Sequence, residues 1–209
     1  MHGLGNDFVL LDGVSQSLAL TPEQVMHLCD RKYGIGCDQL LIVENTDLPE
    51  VDFKYRIFNC DGSEVEQCGN GARCFAQFVK RQGLIERDKM RVETLAGVYA
   101  IEIIDHTLVK VDMGQPEFDP AKIPFMPAQQ DTHQIQIKQQ QINFQVVSIG
   151  NPHAVIFVDD VDAVALGDIG SQLEVDPRFP QRTNVQFVQI VDSETIKQRI
   201  FERGAGETM

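Results

Sequence analysis

Cys68 stands directly before a Gly-Asn-Gly turn in the segment NCDGSEVEQCGNGARCF, which covers residues 59–75. Residues 70–83 have a helical pattern, so this cysteine lies at the predicted N-terminus of a helix. Orphan backbone N–H groups and the helix dipole favour negative charge there, and the thiolate is the reactive form of a cysteine. The same N–H groups could also hold a carboxylate. The position therefore suits a thiolate that acts on a small molecule bearing a carboxylate.

Metal binding, redox chemistry and packing are the other uses of a cysteine at this place. The chain has five cysteines, an odd number with irregular spacing, which is typical of thiols in a reducing compartment. Their spacing lacks the paired C-x2-C knuckles of a zinc site, so we expect no metal. Packing as small buried residues is our interpretation of four of them. These four are Cys29, Cys37, Cys60 and Cys74.

Composition and charge limit the classes of partner. Of the 209 residues, 43% are hydrophobic and 23% are charged, which are ordinary globular values. The formal net charge of −13 disfavours binding to nucleic acid or to an anionic membrane, since both need a basic surface. No apolar run approaches the roughly 20 residues of a membrane helix, and the start shows no signal-peptide pattern. We predict a cytoplasmic protein whose partner is a small molecule.

Local patterns predict both helices and strands. A capping box of Thr21 and Gln24, with Pro22 at the first helical position, predicts a helix that runs to about Lys32. Residues 114–128 contain four prolines and are the best candidate for a linker. Alternating apolar residues predict strands at residues 8–12, 39–43, 51–58, 98–104, 108–113, 135–138 and 142–149.

The chain also contains an internal repeat. GNDFVLLD at residues 5–12 resembles GNPHAVIFVD at 150–159, and FKYRIFNCDG at 53–62 resembles IKQRIFERGA at 196–205. The intervals agree, because Asn6 precedes Phe58 by 52 residues and Asn151 precedes Phe201 by 50. We infer two related halves, each combining a small sheet with a helix.

The repeat predicts where a partner for Cys68 belongs. Cys68 lies ten residues after Phe58, and ten residues after Phe201 is position 211, beyond Met209. We therefore expect a longer natural chain, with a few residues before Met1. Its C-terminal piece should hold that cysteine and a helix matching residues 70–82.

Six stretches of the chain resemble, in order and spacing, the signature blocks of the diaminopimelate epimerases. The resemblance implies an α/β (α+β) fold of two pseudo-symmetric domains, with the site in the cleft. Each domain is then a mostly antiparallel sheet or barrel wrapped around a central helix. We place the domains at residues 1–112, which include Cys68, and 113–209, which end before the expected cysteine. The six stretches are MHGLGNDF, GCDQ, FNCDGSEVEQCGNGARC, GNPH, RTNVQFV and RIFERGAGET.

The same resemblance implies cofactor-independent epimerisation of LL-2,6-diaminopimelate to the meso form, in lysine and peptidoglycan precursor synthesis, by a homodimer. One cysteine thiolate removes the α-proton, and a second thiol protonates the opposite face. Cys68 matches the first cysteine, while His153 and Glu202 match positions that support the proton transfers. The matched substrate-binding positions are Asn6, Gln39, Asn59, Gly69, Asn70, Asn151, Asn184, Glu202 and Arg203.

Inversion of an α-carbon needs a base and an acid on opposite faces of a planar carbanion. No pyridoxal-binding pattern is evident, so N–H donors at helix ends must stabilise that carbanion. Arg203 suits a carboxylate and Glu202 an ammonium group. Each of these residues also has an ordinary interpretation. The asparagines could be turn residues, Gln39 could be solvated, His153 could lie at a strand edge, and Glu202 could pair with Arg203 at the surface.

Two other functions remain open at this stage. One is a related isomerase of the same shape, such as a proline-racemase-like or aconitate-isomerase-like enzyme. The other is a module that binds an amino acid without turnover, as a shortened chain could do. Assays with diaminopimelate and proline separate the isomerases, and deuterium exchange at the α-carbon separates catalysis from binding.

Overall fold

The computed structural model of the chain describes residues 1–66, 68–126, 133–138, 140–204 and 206–208. The chain divides into two compact units, Met1–Gly114 and Gln115–Met209, and the division falls close to the boundary predicted after residue 112. Ile123 and Phe125 are buried in the core of the second unit. The prediction of a linker is therefore wrong for this part of residues 114–128. Residues 127–128 of that segment, like Met209, lie outside the described residues.

The first unit combines a sheet with two helices over its described residues. Its helices are α1 (Pro22–Cys29) and α2 (Gly69–Arg81). Its strands are β1 (His2–Gly3), β2 (Asn6–Asp12), β3 (Gln39–Glu44), β4 (Phe53–Asn59), β5 (Glu64–Val65), β6 (Lys89–Thr94), β7 (Gly97–Ile103) and β8 (Val109–Asp112).

The strands of the first unit form one sheet in the order β1-β2-β3-β4-β6-β7-β8, and β5 pairs with β4. The pairs β2–β3 and β4–β6 are parallel, and the other pairs are antiparallel. Alternate residues of the strands, among them Leu41, Tyr55 and Ile57, pack in one core with Phe75 and Val79 of α2. The sheet thus wraps around α2, because a period of two places one apolar face of each strand against the helix.

Helix α2 begins and ends where its sequence predicts. Cys68 is the N-cap residue, with an extended backbone at φ −148° and ψ 120°. At the other end, Gly83 has φ +70°, and its N–H donates to the carbonyl of Lys80. The N–H of Leu84 donates to the carbonyl of Val79. This is the Schellman arrangement that a glycine after the last turn favours.

Helix α1 starts as predicted and stops early. Both hydrogen bonds of the capping box between Thr21 and Gln24 are present. The helix ends at Cys29, not near Lys32, so the predicted end is wrong. Asp30 has an extended backbone, and its carboxylate accepts hydrogen bonds from the N–H groups of Lys32 and Tyr33, at 2.7 and 2.8 Å. This side chain satisfies backbone donors outside the helix, and so it competes with another helical turn.

The second unit contains a 3-10 turn at Pro120–Lys122 and helix α3 (Leu166–Glu174). One pair of strands forms a hairpin, β9 (Gln134–Ile137) with β10 (Gln140–Asn143). The other strands form one sheet in chain order. They are β11 (Gln145–Ser148), β12 (Pro152–Phe157), β13 (Asn184–Ile190), β14 (Ile196–Glu202) and β15 (Gly206–Thr208).

The two units share a core of strand, helix, parallel strand and antiparallel strand, which supports the predicted repeat, and the mixed sheet-and-helix architecture confirms the fold class. In the first unit β2 is followed by α1 and pairs in parallel with β3, which pairs antiparallel with β4. In the second unit β12 is followed by α3 and pairs in parallel with β13, which pairs antiparallel with β14. Helix α3 is the counterpart of α1, and its bounds were not predicted. Over the described ranges, no helix has the length and apolar character needed to cross a membrane.

Candidate active site

Cys68 is half-buried, and its backbone is held from two sides. Its carbonyl oxygen accepts a hydrogen bond from the N–H of Ala72 at 2.8 Å and another from the Tyr55 hydroxyl at 3.2 Å. Tyr55 is buried in the core, and burial raises the pKa of its hydroxyl well above the ordinary value, so it remains a donor. A Cβ at Gly71 would lie 2.4 Å from that hydroxyl oxygen. Glycine at this position therefore permits the contact that holds Cys68.

Asn6 lies against the sulfur of Cys68. The thiol donates to Asn6 Oδ1 at an Sγ–O distance of 3.6 Å, and Asn6 is only 2% exposed. Asn6 begins β2 directly after Gly5, whose φ of +83° lies in the left-handed region that favours glycine. The Gly-Asn pair thus turns the chain and delivers a buried amide to the thiol.

Gln39 and Asn59 are paired across β3 and β4. Gln39 Nε2 donates to Asn59 Oδ1 at 2.9 Å. Gln39 Oε1 is buried and has no hydrogen-bond partner among the residues that the structure describes. Because a buried acceptor without a donor is costly, this oxygen suits a ligand that carries N–H groups.

Gly69 and Asn70 form the first turn of α2, directly after Cys68. Asn70 Oδ1 accepts a hydrogen bond from the guanidinium of Arg73, one turn later. A Cβ at Gly3 would lie 3.3 Å from the Asn70 carbonyl oxygen, so β1 passes close to this turn. The first N–H groups of α2 lie in this turn, as an anion site at a helix N-terminus requires.

A cluster of charged residues that sequence reasoning missed lies behind Asn6. Asp38 Oδ2 accepts from Asn6 Nδ2 at 3.3 Å and from the N–H of Asp7 at 2.9 Å. Arg31 forms two hydrogen bonds with Asp7, at 2.8 and 3.0 Å, and one with Asp38 Oδ1 at 2.7 Å. The hydrogen bond from Arg31 lowers the pKa of the Asp7 carboxyl to about 2. The available signal was the position of Asp38, next to Gln39 in GCDQ.

None of the five cysteines, all of which the structure describes, is in a disulfide. Cys29, Cys37 and Cys74 are buried, as predicted, and burial raises the pKa of the Cys74 thiol. The Sγ atoms of Cys29 and Cys37 are 3.5 Å apart. Cys60 is exposed, so its interpretation as a buried packing residue is wrong. It follows the end of β4 at a turn, where its sulfur contacts the carbonyl oxygens of Cys37 and Asp38.

His153 is the centre of the predicted site residues in the second unit. Its Nε2 lies 2.9 Å from Asn151 Oδ1, and its Nδ1 lies 3.1 Å from Gln186 Nε2. An amide NH2 can only donate, so Nδ1 accepts and Nε2 carries the proton. Burial, with a smaller contribution from the charge of Arg203, lowers the pKa of His153 to about 4. His153 is therefore neutral near pH 7. Gln186, like the charged residues behind Asn6, is a residue that sequence reasoning missed.

Asn184 connects two other predicted residues of this unit. It is the Cα partner of His153 between β12 and β13. Its Oδ1 accepts a hydrogen bond from the N–H of Arg203 at 3.0 Å, and its Nδ2 donates to the carbonyl of Pro152 at 3.2 Å. The Arg203 guanidinium donates to the carbonyl of Gln181 at 3.0 Å. Asn184 thus joins the start of β13 to the turn after β14.

Glu202, the last residue of β14, accepts a hydrogen bond at Oε1 from the Thr208 hydroxyl at 2.9 Å.

Each unit gathers its own set of the predicted residues. In the first unit, hydrogen bonds link Cys68 to Asn6 and Gln39 to Asn59, while Gly69 and Asn70 follow Cys68 in α2. In the second unit, Asn151 and His153 form one hydrogen-bonded group, and Asn184 contacts Arg203. No cluster of three or more His, Cys, Asp or Glu side chains able to hold a metal occurs among the described residues. The available chemistry is that of thiol, amide, imidazole, carboxylate and guanidinium groups.

Comparison with known proteins points to one family. The family model "Diaminopimelate epimerase" matches residues 1–118 and 145–209. The diaminopimelate epimerase of Aromatoleum aromaticum is 54% identical over 210 aligned positions, which cover 100% of this chain and 76% of that protein. The diaminopimelate epimerase of Laribacter hongkongensis is also 54% identical, with the same coverage.

A solved structure gives the same fold. The chain is similar to a probable proline racemase from Agrobacterium radiobacter K84, with a TM-score of 0.69 and 16% sequence identity. The match covers 99% of this chain and 70% of the racemase. At this identity the likeness shows a common fold and carries no information about substrate.

Proposed function

The chain belongs to the diaminopimelate epimerase family, and we propose that it interconverts LL-2,6-diaminopimelate and meso-diaminopimelate without a cofactor. It is an isomerase by family. The match to the family model and the two relatives at 54% identity, which carry the family's name, support this proposal. The substrate and the mechanism are our inference for this chain.

The observation that carries the proposal is Cys68 at the N-terminus of α2, half-buried and hydrogen-bonded to Asn6. In the proposed reaction, the Cys68 thiolate removes the α-proton, and the C–H electron pair remains on the substrate as a planar carbanion. N–H groups in the first turn of α2 stabilise the negative charge on the neighbouring carboxylate. A thiol on the other face then donates its proton to the α-carbon, which inverts the centre.

Two thiols, one on each face of the α-carbon, are needed for this inversion. All five cysteines of the 209 residues precede residue 75. The resemblance to the family and the internal repeat both predict the second thiol two positions beyond Met209. We propose that His153 and Glu202 support the proton transfers, His153 as a neutral hydrogen-bonding group, since its pKa is lowered to about 4.

The remaining predicted residues would bind the two amino acid ends of the substrate. Gln39 Oε1, a buried acceptor without a partner among the described residues, suits a substrate ammonium group. Glu202 suits an ammonium group, and Arg203 a carboxylate, by their charges. The amides that would complete the binding set are those of Asn6, Asn59, Asn70, Asn151 and Asn184, with the N–H of Gly69.

The cellular context is also a proposal. We expect the protein to act in the cytoplasm as a homodimer, in the synthesis of lysine and of peptidoglycan precursors. The oligomeric state follows from light scattering of the purified chain, and a mass equal to one chain at all concentrations would contradict the dimer.

The direct test is the exchange of the α-hydrogen in deuterated water. Incubation with LL-diaminopimelate should replace the α-proton by deuterium, as followed by NMR. Chiral chromatography should detect the meso form only from a chain that carries the second thiol. A single thiol can return a deuteron to the same face, so exchange reports on Cys68 even without inversion. Cys68→Ala should abolish exchange. Cys60→Ala, a second exposed cysteine changed in the same way, should retain it.

Each alternative function gives its own result in this assay. Exchange at the α-carbon of proline and none with diaminopimelate would indicate a racemase of the related type. Binding of diaminopimelate, measured by calorimetry, with no exchange in the wild-type chain would indicate a binding module. Exchange that persists in Cys68→Ala would refute the role proposed for this residue.

A further inference from the structure

Asn6 contacts two chemically different neighbours through the two ends of its side-chain amide. Its Nδ2 donates to Asp38 Oδ2 at 3.3 Å, and its Oδ1 accepts from the thiol of Cys68 at 3.6 Å. Asn6 is buried, with only 2% of its surface exposed. Its orientation therefore decides whether the sulfur faces a hydrogen-bond acceptor or a donor.

Asp38 is held in place more firmly than a surface carboxylate. Its Oδ1 accepts from Arg31 at 2.7 Å, its Oδ2 accepts from the N–H of Asp7 at 2.9 Å, and its own N–H donates to Asp7 Oδ1 at 2.8 Å. Arg31 is also anchored by its two hydrogen bonds to Asp7. The carboxylate thus has one position and presents only acceptor atoms to Asn6.

We propose that Asp38, held by Arg31, is a positioning residue that orients the Asn6 amide with its oxygen toward the Cys68 thiol. A reversed amide would bring its oxygen to the 3.3 Å contact with Asp38 Oδ2, where two acceptors repel each other. The carboxylate therefore excludes the reversed orientation. The consequence for Cys68 is an acceptor beside its S–H group, which stabilises the thiol relative to the thiolate.

An Asp38→Asn substitution removes this preference for one orientation of the Asn6 amide and hardly changes the shape of the side chain. The new amide can donate as well as accept, so Asn6 can reverse and present its NH2 group to the sulfur. A donor beside the sulfur stabilises the thiolate, which is the form that alkylating reagents attack. That Cys68 is the reacting thiol rests on the proposed function, but its alkylation is measured without substrate.

The experiment measures the rate of Cys68 alkylation by iodoacetamide between pH 6 and 10. Peptide mass spectrometry separates Cys68 from the other four cysteines. In Asp38→Asn we expect a rate about fivefold higher at pH 7, the effect of one hydrogen bond, and a rate–pH midpoint moved to lower pH. Asp7→Asn is the matched control, because it removes the same charge beside Arg31 and leaves Asp38 on Asn6. Its profile should keep the wild-type midpoint.

A double-mutant test ties the effect to Asn6. In an Asn6→Ala background, Asp38→Asn should leave the alkylation profile unchanged, since no amide remains to reverse. Asp38→Ala also removes the acceptor that holds Asn6 Nδ2, should shift the midpoint in the same direction, and serves if Asp38→Asn fails to fold. Equal profiles for Asp38→Asn and Asp7→Asn would overturn the proposal, and so would a shift that persists in the Asn6→Ala background. The wild-type chain could fail to exchange the α-hydrogen of diaminopimelate while all alkylation profiles match these expectations. That outcome would refute only the proposed function.

Discussion

The effect of Gly71→Ala on the free energy of unfolding should change sign when the Tyr55 hydroxyl is removed. A Cβ added at Gly71 would lie 2.4 Å from the Tyr55 hydroxyl oxygen, a distance that real side chains do not tolerate. Overpacking of this kind costs about 1–3 kcal/mol, whereas alanine gains up to about 1 kcal/mol over glycine inside a helix. Gly71→Ala should therefore lower the free energy of unfolding by roughly 1–2 kcal/mol.

The same substitution should be stabilising once the hydroxyl is removed. In Tyr55→Phe, the nearest atoms outside the helix's own turn are Phe8 Cε1 at 3.4 Å and Cys68 Cβ at 3.5 Å, which are ordinary contacts. Gly71→Ala should then raise the free energy of unfolding by about 0.5–1 kcal/mol, the helical preference alone. Tyr55→Phe itself should cost about 1 kcal/mol, because the Cys68 carbonyl keeps the N–H of Ala72.

The wild type, Gly71→Ala, Tyr55→Phe and the double variant form a double-mutant cycle. Urea denaturation of these four proteins, followed by circular dichroism at constant pH, measures all of its free energies. A Gly71→Ala effect of the same sign and size in both backgrounds would show that the hydroxyl is not the obstacle. In that case the close contact between Gly71 and Tyr55 does not explain the glycine of the Gly-Asn-Gly turn.

Two further predictions concern pH and helix capping. The pKa of His153 is lowered to about 4 in the folded chain, so its contribution to stability is complete above about pH 6.5 and is lost as the pH falls to about 4. The free energy of unfolding should drop by up to about 3 kcal/mol over this range, and His153→Gln should flatten the curve; an unchanged slope in that variant would contradict the assignment. Thr21→Ala breaks the capping box of α1 and should cost about 1 kcal/mol, measured by thermal unfolding, with no effect on α-hydrogen exchange.

Local signals in the sequence were sufficient for the elements that present the candidate site. The capping box placed the start of α1, and Gly83 placed the end of α2, because caps depend on a few neighbouring residues. The strands predicted at 8–12, 39–43 and 51–58 are present with ends shifted by up to two residues. The repeat indicated the common topology, since both copies keep their Gly-Asn turn and their Arg-Ile-Phe strand.

Other features depend on contacts between residues far apart in the chain. Asp38 is unremarkable beside Gln39 until the fold brings it to Asn6 and Arg31. The proton on His153 follows from burial and from Gln186, which lies 33 residues later. The early end of α1 reflects an Asp30 side chain that satisfies backbone donors, a competition that apolar periodicity does not report.

The repeat also shows how the two halves of the molecule have diverged. Asn6 and Asn151 follow equivalent Gly-Asn turns, yet a carboxylate restrains the first amide and an uncharged imidazole contacts the second. Mild acid would convert that imidazole into a cation, which can no longer accept from Gln186, while the Asp7–Arg31 anchor survives to about pH 2. A pH near 4 should therefore break the hydrogen bond between Gln186 and His153 while Asp7 stays paired with Arg31, so the two copies of the repeat differ in how acid acts on the groups near their Gly-Asn turns.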